Sequence, residues 1–336
     1  MNFSSVGDLA QSLVLRRQSA SLQSDLARLS EELATGKVSD VTDAVRGDFS
    51  ALSSLERTLT LIEGYSSVRN AADFEYASAQ NTLSSISDLI AGNGAELLSI
   101  VTLEPDLQSS PRLSDARDKF TDTVAKLNTN SGSRFLFSGV DTDQAPLADA
   151  DAMLADIAAA TALATTSTDL IQAVDDWFNL PGGGFETLGY LGDQAATQST
   201  RIGPANSVEP LPTADSEMVR DLLKSLALSV LVVEGSFSGD AQAQQDIITE
   251  AGTGLVASED ALIETRSRIG FAQETIETVD QTLSVEEQNL EMARNKILAA
   301  DPYETATELE AVQTQIETLY LITAKTSLLS LAEYLR

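Results

Sequence analysis

Residues 261–298 read ALIETRSRIGFAQETIETVDQTLSVEEQNLEMARNKIL, and their apolar side chains recur at alternating steps of three and four. This seam consists of Leu262, Ile269, Ala272, Ile276, Val279, Leu283, Leu290, Ala293 and Ile297. Spacing that averages about 3.5 residues places one narrow apolar stripe on a helix, which is the pattern of a coiled coil. A stripe of this length has to be covered by other helices, so the stretch predicts a mainly helical fold.

A second helix is predicted after this seam. Asp301 and Pro302 are typical of an N-cap followed by the first helical residue, so the helix restarts or bends there. The apolar residues beyond them lie on one face as far as Leu319 and then spread around the helix: Leu309, Val312, Ile316, Leu319, Leu321, Ile322, Leu328, Leu329, Leu331 and Leu335. A helix that is apolar on several sides needs more than one partner.

The N-terminal part of the chain predicts partners for these helices. Residues 1–35 form one amphipathic helix that ends at Thr35-Gly36-Lys37, and its apolar face carries Leu15, Leu22, Leu26, Leu29 and Leu33. A second helical pattern runs from about Asp40 to Ile90 and fades near Gly92-Asn93-Gly94. A third helix carries Leu113, Phe120, Val124 and Leu127. Side-by-side packing of N-terminal and C-terminal helices would bury all these faces, at about 1.5 to 3 kcal/mol per large aliphatic side chain.

The middle of the chain has a different composition. The aromatic run from Ser131 to Gly139, bracketed by glycines, predicts a strand or tight turn. Trp177 and Phe178 predict a small satellite core. The segment 181–212 is too rich in proline and glycine for a helix, and we expect short strands over residues 185–191 and 201–211. Helical spacing resumes near Asp215.

These patterns predict a mainly α fold, in which both chain ends form a long antiparallel helical bundle or coiled coil and the middle forms a small α+β insertion domain. The expected divisions are terminal assembly helices at 1–35 and 302–336, a helical rod at 36–140 and 215–301, and a solvent-facing insertion at 141–214.

Composition excludes several functions. The net charge of −30 disfavours contact with nucleic acid or anionic membranes, because such binding depends on Lys and Arg. The chain has no Cys and no His, so it lacks the usual nucleophiles, general bases and transition-metal ligands. We therefore expect no enzyme activity, no catalytic residues, no cofactor and no metal. The apolar stretch around Leu226 to Val233 is too short to span a bilayer, and the N-terminus lacks the pattern of a secretory signal.

Three motifs fit chemical sites only superficially. The run from Gly252 to Ala257 matches a loose dinucleotide fingerprint but follows no strand, so we interpret it as a helix break. Asp141-Thr142-Asp143 begins like a calcium loop, yet Pro146 and Ala152 stand where Gly and Glu are needed. The adjacent carboxylates Asp175 and Asp176 are interpreted as a solvated face rather than an acid-base pair.

The paired ends around an interrupted middle resemble the flagellin superfamily. Leu33-Ala34-Thr35-Gly36-Lys37 is similar to the turn that follows the first helix in that family, and the segment 307–335 is similar to its C-terminal assembly helix. The block 132–139, followed by Asp141-Thr142 and Pro146, is similar to a Gly-aromatic block of hook-filament junction proteins, as is Tyr190-Leu191-Gly192-Asp193. One departure is Val38-Ser39-Asp40-Val41-Thr42-Asp43, where the family has Asp-Asp-Pro.

The resemblance implies a structural subunit of the bacterial flagellum that joins hook to filament after type III export without a cleavable signal peptide. Its implied location is extracellular, and its implied partners are further copies in a ring or helical layer, a hook-side hook-associated protein, flagellin and an export chaperone. The assembly interface would include Leu15, Leu22, Leu26, Leu29, Leu309, Ile316, Leu319, Leu328, Leu331 and Leu335. A filament flagellin and a cytoplasmic coiled-coil scaffold or signalling protein remain alternatives.

Overall fold

A computed structural model describes residues 4–103, 110, 113–132, 134–193 and 198–334, and it is mainly α. The α-helices are α1 Ser4–Thr35, α2 Val41–Ala44, α3 Ser50–Ile90, α4 Asn93–Leu103, α5 Ala116–Leu127, α6 Ala150–Thr161, α7 Ser167–Asn179, α8 Glu217–Val233, α9 Ala241–Leu298 and α10 Pro302–Tyr334. Two antiparallel hairpins pair β1 Asn130–Ser131 with β2 Arg134–Phe135, and β3 Thr200–Arg201 with β4 Ser207–Val208. The predicted mainly α class is confirmed.

The chain divides into two compact units, Met1–Glu63 with Ser284–Arg336, and Gly64–Leu283. The finer predicted division into terminal helices, rod and insertion stays a prediction.

The seam lies on α9, the longest helix among the described residues. In the Gly64–Leu283 unit its side chains at Leu262, Ile269, Ile276, Val279 and Leu283 are all buried. The helix begins well before the seam, at Ala241, because Ile247, Ile248, Ala251 and Leu255 continue a buried face toward its N-terminus. The apolar spacing of a buried helix face therefore begins before Leu262, where the strict heptad pattern starts.

The predicted helix from Asp40 to Ile90 is interrupted, so that prediction is wrong between α2 and α3. Arg46 and Gly47 both adopt left-handed backbone, with φ of 50° and 76°. Gly47 takes this conformation at no steric cost, and Asp48 then accepts a hydrogen bond from the Ser50 amide at 3.0 Å at the start of α3. The predicted fading near Gly92 is a short break, after which α4 begins at Asn93.

The satellite core predicted around Trp177 and Phe178 is confirmed. Both side chains are buried, and their ring centroids lie 4.7 Å apart in an edge arrangement. The Trp177 indole N–H donates to the Asp156 carboxylate at 2.7 Å, which satisfies the one polar atom of the ring.

The strand predicted over residues 185–191 is wrong. Phe185–Gly189 is a short π-helix that turns Phe185 onto Trp177, with ring centroids 6.1 Å apart. The turn needs Gly184, where a Cβ atom would stand 1.8 Å from the Trp177 ring nitrogen. Of the strand predicted over 201–211, only Arg201 and Ser207–Val208 lie in strands, in the β3–β4 hairpin.

The interpretation of residues 252–257 as a helix break is also wrong, because α9 continues through them. A Cβ atom at Gly254 would stand 2.2 Å from the hydroxyl oxygen of Ser225 on α8. These glycines therefore permit close helix packing.

No helix in the described part of the chain combines the length and hydropathy that crossing a bilayer requires. Nor do the described residues bring three or more Asp or Glu side chains together as a set of metal ligands.

Candidate assembly surface

The first compact unit is built on the pairing of α1 with α10. The Gln23 side-chain amide donates to the Tyr320 hydroxyl at 3.4 Å, while the Ala300 amide donates to the Gly36 carbonyl at 3.0 Å. Later residues of α1 thus lie beside earlier residues around α10. The two helices are antiparallel, as predicted for the chain ends.

The Thr35-Gly36-Lys37 turn joins α1 to the link between α9 and α10. Gly36 takes a left-handed conformation with φ of 68°, which ends α1. Lys37 then forms a β-bridge with Ala299, and the Val38 amide donates to the Leu298 carbonyl at 2.9 Å. A motif recognised in the sequence as a helix stop is therefore also a backbone joint between distant parts of the chain.

The buried side chain of Glu32 stabilises this backbone joint. Its residue is only 4% exposed, and its Oε1 accepts from the Ser39 amide at 2.9 Å and from the Arg28 guanidinium at 3.2 Å. A carboxylate so far from water needs these charge-assisted partners. The sequence offered no means of distinguishing Glu32 from its exposed neighbour Glu31.

The predicted helix start at Asp301-Pro302 is confirmed. The Asp301 carboxylate accepts from the amides of Tyr303 at 2.9 Å and Glu304 at 3.3 Å, as an N-cap does. Pro302 opens α10, where its missing N–H costs nothing.

The predicted assembly residues occupy three kinds of position. Leu22, Leu29 and Leu319 are buried, at 7%, 2% and 6% exposure, and hold the α1–α10 pair together. Half-buried positions are those of Leu15, Leu26, Leu309 and Ile316. The side chains of Leu328 and Leu331, and the whole of Leu335, lie outside the described residues. Contact of any of these residues with a neighbouring molecule stays a prediction.

Other apolar side chains of the pair face outward. They are Leu13, Val14 and Leu33 on α1 and Tyr303, Tyr320, Leu321 and Ile322 on α10, with exposures from 41% to 84%. Leu33, which the spacing placed near the inner face, is among them. These side chains leave apolar area on the α1–α10 pair that a neighbouring molecule could cover. The sequence indicated these exposed positions only by the apolar residues that lie on more sides of the last helix than one partner could cover.

The second unit holds a polar groove of about 590 Å³ between α3 and α9. Arg69, only 3% exposed, crosses its floor: its Nε and Nη2 atoms each lie 3.0 Å from Asp280 Oδ1, and its Nη1 donates to the Ile202 carbonyl at 3.4 Å. The groove also carries Asp73, Glu274 and Glu277. Arg69 therefore ties the β3–β4 hairpin to both helices, which is a structural role.

Asp175, interpreted from sequence as a solvated carboxylate, is an ion-pair partner. Burial acts to raise its pKa, but hydrogen bonds from Lys224 at 2.9 Å and from Asn179 bring the pKa below its usual value. Its neighbour Asp176 accepts from Gln172 at 2.8 Å. The two carboxylates thus serve separate contacts, and Asp175 links α7 to α8.

These features define a class of protein: a mainly helical chain whose ends pair in antiparallel fashion and carry exposed apolar side chains. Residues 257–335 match the family model of the bacterial flagellin C-terminal helical region. The C-terminal part of the chain, with the end of α9 and α10, is therefore similar to that helical region, and the resemblance is confirmed for that segment.

Two solved structures resemble the fold. The crystal structure of Bacillus cereus FlgL is 16% identical, with a TM-score of 0.49, over 72% of this chain and 100% of that one. A structure described as a flagellar hook-associated protein from Vibrio parahaemolyticus is 16% identical, with a TM-score of 0.45, over 73% of this chain and 95% of that one. No curated protein sequence matches the chain.

Proposed function

We propose that this protein is a structural subunit of the bacterial flagellum that joins hook to filament by helix-helix packing. The observation that carries the proposal is the match of residues 257–335 to the flagellin C-terminal helical region. That region contains α10, which pairs with α1 and bears most of the outward apolar side chains.

The exposed side chains give assembly a driving force. Leu321 is 63% exposed, Val14 60% and Leu13 51%. Covering such side chains with a neighbouring subunit removes apolar area from water, at about 25 cal/mol per Å² before the costs of association. A layer of many copies repeats this gain at every equivalent contact.

A junction subunit, rather than a filament flagellin, is favoured by the contact between two sequence segments. The Asp193 amide donates to the Ser138 carbonyl at 3.0 Å, and a Cβ atom at Gly192 would stand 2.6 Å from that same carbonyl oxygen. The Leu191 amide donates to the Pro146 carbonyl at 2.8 Å. The two segments that resemble junction proteins therefore contact each other at Ser138 and Pro146.

The proposed partners are further copies of the chain in a ring or helical layer, a hook-side hook-associated protein, flagellin and a type III export chaperone. We place the protein outside the cell, at the hook-filament junction, after export without a cleavable signal peptide. The absence of Cys fits this route, because the folded protein needs no disulfide to form after export. The proposal assigns the protein no enzymatic step.

Immunogold labelling of an epitope-tagged chain on isolated flagella tests the proposal. We expect label only at the boundary between hook and filament, and loss of attached filaments when the gene is deleted. Label along the whole filament would instead identify a filament flagellin, the alternative that the family match also supports. Label confined to the cytoplasm would contradict both and favour a coiled-coil scaffold.

A further inference from the structure

Two groups of exposed charge, opposite in sign, lie apart on the α1–α10 pair. A basic group consists of Arg16 and Arg17 on α1, both exposed, and neither forms an ion pair with any residue that the structure describes. An acidic group consists of Glu310 and Glu317 on α10, also exposed. An exposed pair of arginines stands out in a chain of net charge −30.

The two groups lie at different levels of the same pair, so they cannot meet within one molecule. The hydrogen bond of Gln23 to Tyr320 fixes one level. At about 1.5 Å per residue, Arg16 and Arg17 lie about 10 Å to one side of that level, while Glu317 and Glu310 lie about 5 to 15 Å to the other. The resulting separation of about 15 to 25 Å exceeds the screening length of about 8 Å at physiological salt.

Each charged group borders outward apolar side chains. Leu13 and Val14, at 51% and 60% exposure, precede the arginines, and Leu321, at 63%, follows Glu317 by one turn. Protein interfaces combine an apolar centre with a charged rim that fixes orientation and register. Both surfaces therefore have the composition of one half of an interface, and their charges are complementary.

We propose that the basic group of α1 docks on the acidic group of α10 of a second copy, which has the same orientation and is displaced along the helix axis by about 15 to 25 Å. The choice of a parallel copy rests on the proposed function, because a repeated parallel displacement leaves both ends free for further copies. An antiparallel pair would satisfy the same charges but would close as a dimer.

The absence of Cys makes a cross-linking test direct. Gln18→Cys and Gln313→Cys place thiols beside the two groups, at exposed positions about 18 Å apart along the axis within one chain. A short, membrane-permeant bismaleimide cannot bridge that distance. In cells carrying this doubly substituted full-length chain as their sole copy, we expect a ladder of dimers, trimers and larger species, and no ladder from either single substitution.

Charge exchange then tests the contact itself. Arg16→Glu with Arg17→Glu, in the two-cysteine chain, should reduce the cross-linked fraction by about tenfold or more, and addition of Glu310→Arg with Glu317→Arg should restore it. Arg57→Glu, an exposed arginine of the same unit outside the basic group, is the matched control and should leave the ladder unchanged.

Four outcomes would each overturn the docking proposal. These are a ladder that survives charge reversal, a ladder that the exchanged charges fail to restore, dimers without larger species, and no cross-linking at all. Its failure is distinguishable from failure of the proposed function, since labelling reads location independently. If no cross-links form but immunogold label lies at the junction, only the docking is refuted. If a ladder forms but the label is cytoplasmic, only the location is refuted.

Discussion

The backbones of Gly94 in α4 and Gly252 in α9 lie in direct contact: a Cβ atom at Gly94 would stand 2.7 Å from the Gly252 carbonyl oxygen. In the opposite direction, a Cβ atom at Gly252 would stand 3.0 Å from the Gly94 carbonyl oxygen. Backbone atoms cannot rotate away as a flexible side chain can. The contact therefore requires glycine at both positions.

Gly94→Ala should lower the free energy of unfolding by about 1 to 3 kcal/mol, because the helices must separate to admit the methyl group. Urea unfolding followed by circular dichroism measures the change. Gly270→Ala in α9 is the control, since its new Cβ atom meets nothing within 4 Å. The control should be neutral or stabilising by up to about 1 kcal/mol, and equal effects of the two changes would contradict the packing described.

The buried Arg69 leads to an asymmetric prediction. Asp280→Ala should destabilise the Gly64–Leu283 unit by up to about 3 to 5 kcal/mol. The change leaves the Arg69 guanidinium, whose side chain is 3% exposed, without its carboxylate partner. The second change Arg69→Met removes that charge as well and should recover much of the loss. Thermal unfolding of the single and double variants measures both effects.

A double variant no more stable than Asp280→Ala would show that Arg69 acts mainly through its bond to the Ile202 carbonyl. Glu274→Ala, which removes an exposed carboxylate from the same groove, is the control and should change stability little.

Alkaline pH should destabilise the protein through two tyrosines. Burial, with nearby carboxylates, raises the pKa of Tyr76 and of Tyr190 from 10.0 to about 12. Above pH 10 the unfolded chain releases these protons while the folded chain keeps them, so stability is full below about pH 10 and is lost as pH rises toward about 12. Urea midpoints measured across that interval should therefore fall.

Tyr76→Phe and Tyr190→Phe should each weaken this pH dependence, by up to about 1.4 kcal/mol per pH unit per tyrosine. Each change also removes a hydrogen bond, to the carbonyl of Glu209 or of Asp193, and so lowers stability at neutral pH. Tyr303→Phe, at an 84% exposed position, should alter neither quantity. Parallel curves for all variants would contradict the assignment.

Two neighbouring positions on α10 should separate folding from assembly. Leu319→Asp places a carboxylate at a site only 6% exposed and should disrupt the α1–α10 pair. Leu321→Asp changes a side chain 63% exposed and should leave the isolated protein's unfolding curve unchanged, yet prevent stable attachment of filaments. Circular dichroism and counts of shed filaments measure the two effects.

Gln315→Asp, an exposed polar position on the same helix, should affect neither measurement. Attached filaments in the Leu321→Asp strain would contradict the role of the outward face in assembly.

Periodic features of the fold could be predicted from sequence, whereas features set by close packing could not. Local rules that act over one or two helical turns account for three of these features. They are the seam from Leu262 to Leu283, the N-cap at Asp301 and the helix stop at Gly36. The antiparallel pairing of the ends followed from the need to cover apolar stripes.

The missed features depend on contacts between distant residues. Gly252 suggested a helix break because the nearness of Gly94 is invisible in sequence, and the π-helix at Phe185 follows from the position of Trp177. For the assembly surface, spacing identified α1 and α10 but could not distinguish Leu319, which faces the partner helix, from Leu321, which faces outward.

The pairing of α1 with α10 has a consequence during protein synthesis. The ribosome releases α1 long before α10, because nearly all the rest of the described chain is encoded between the two helices. Leu22 and Leu29 therefore stay uncovered throughout translation, because a helix of this kind gains most of its stability from packing. A product truncated before Pro302 could never cover them, so nonsense fragments of this gene should be preferred substrates for chaperones and proteases.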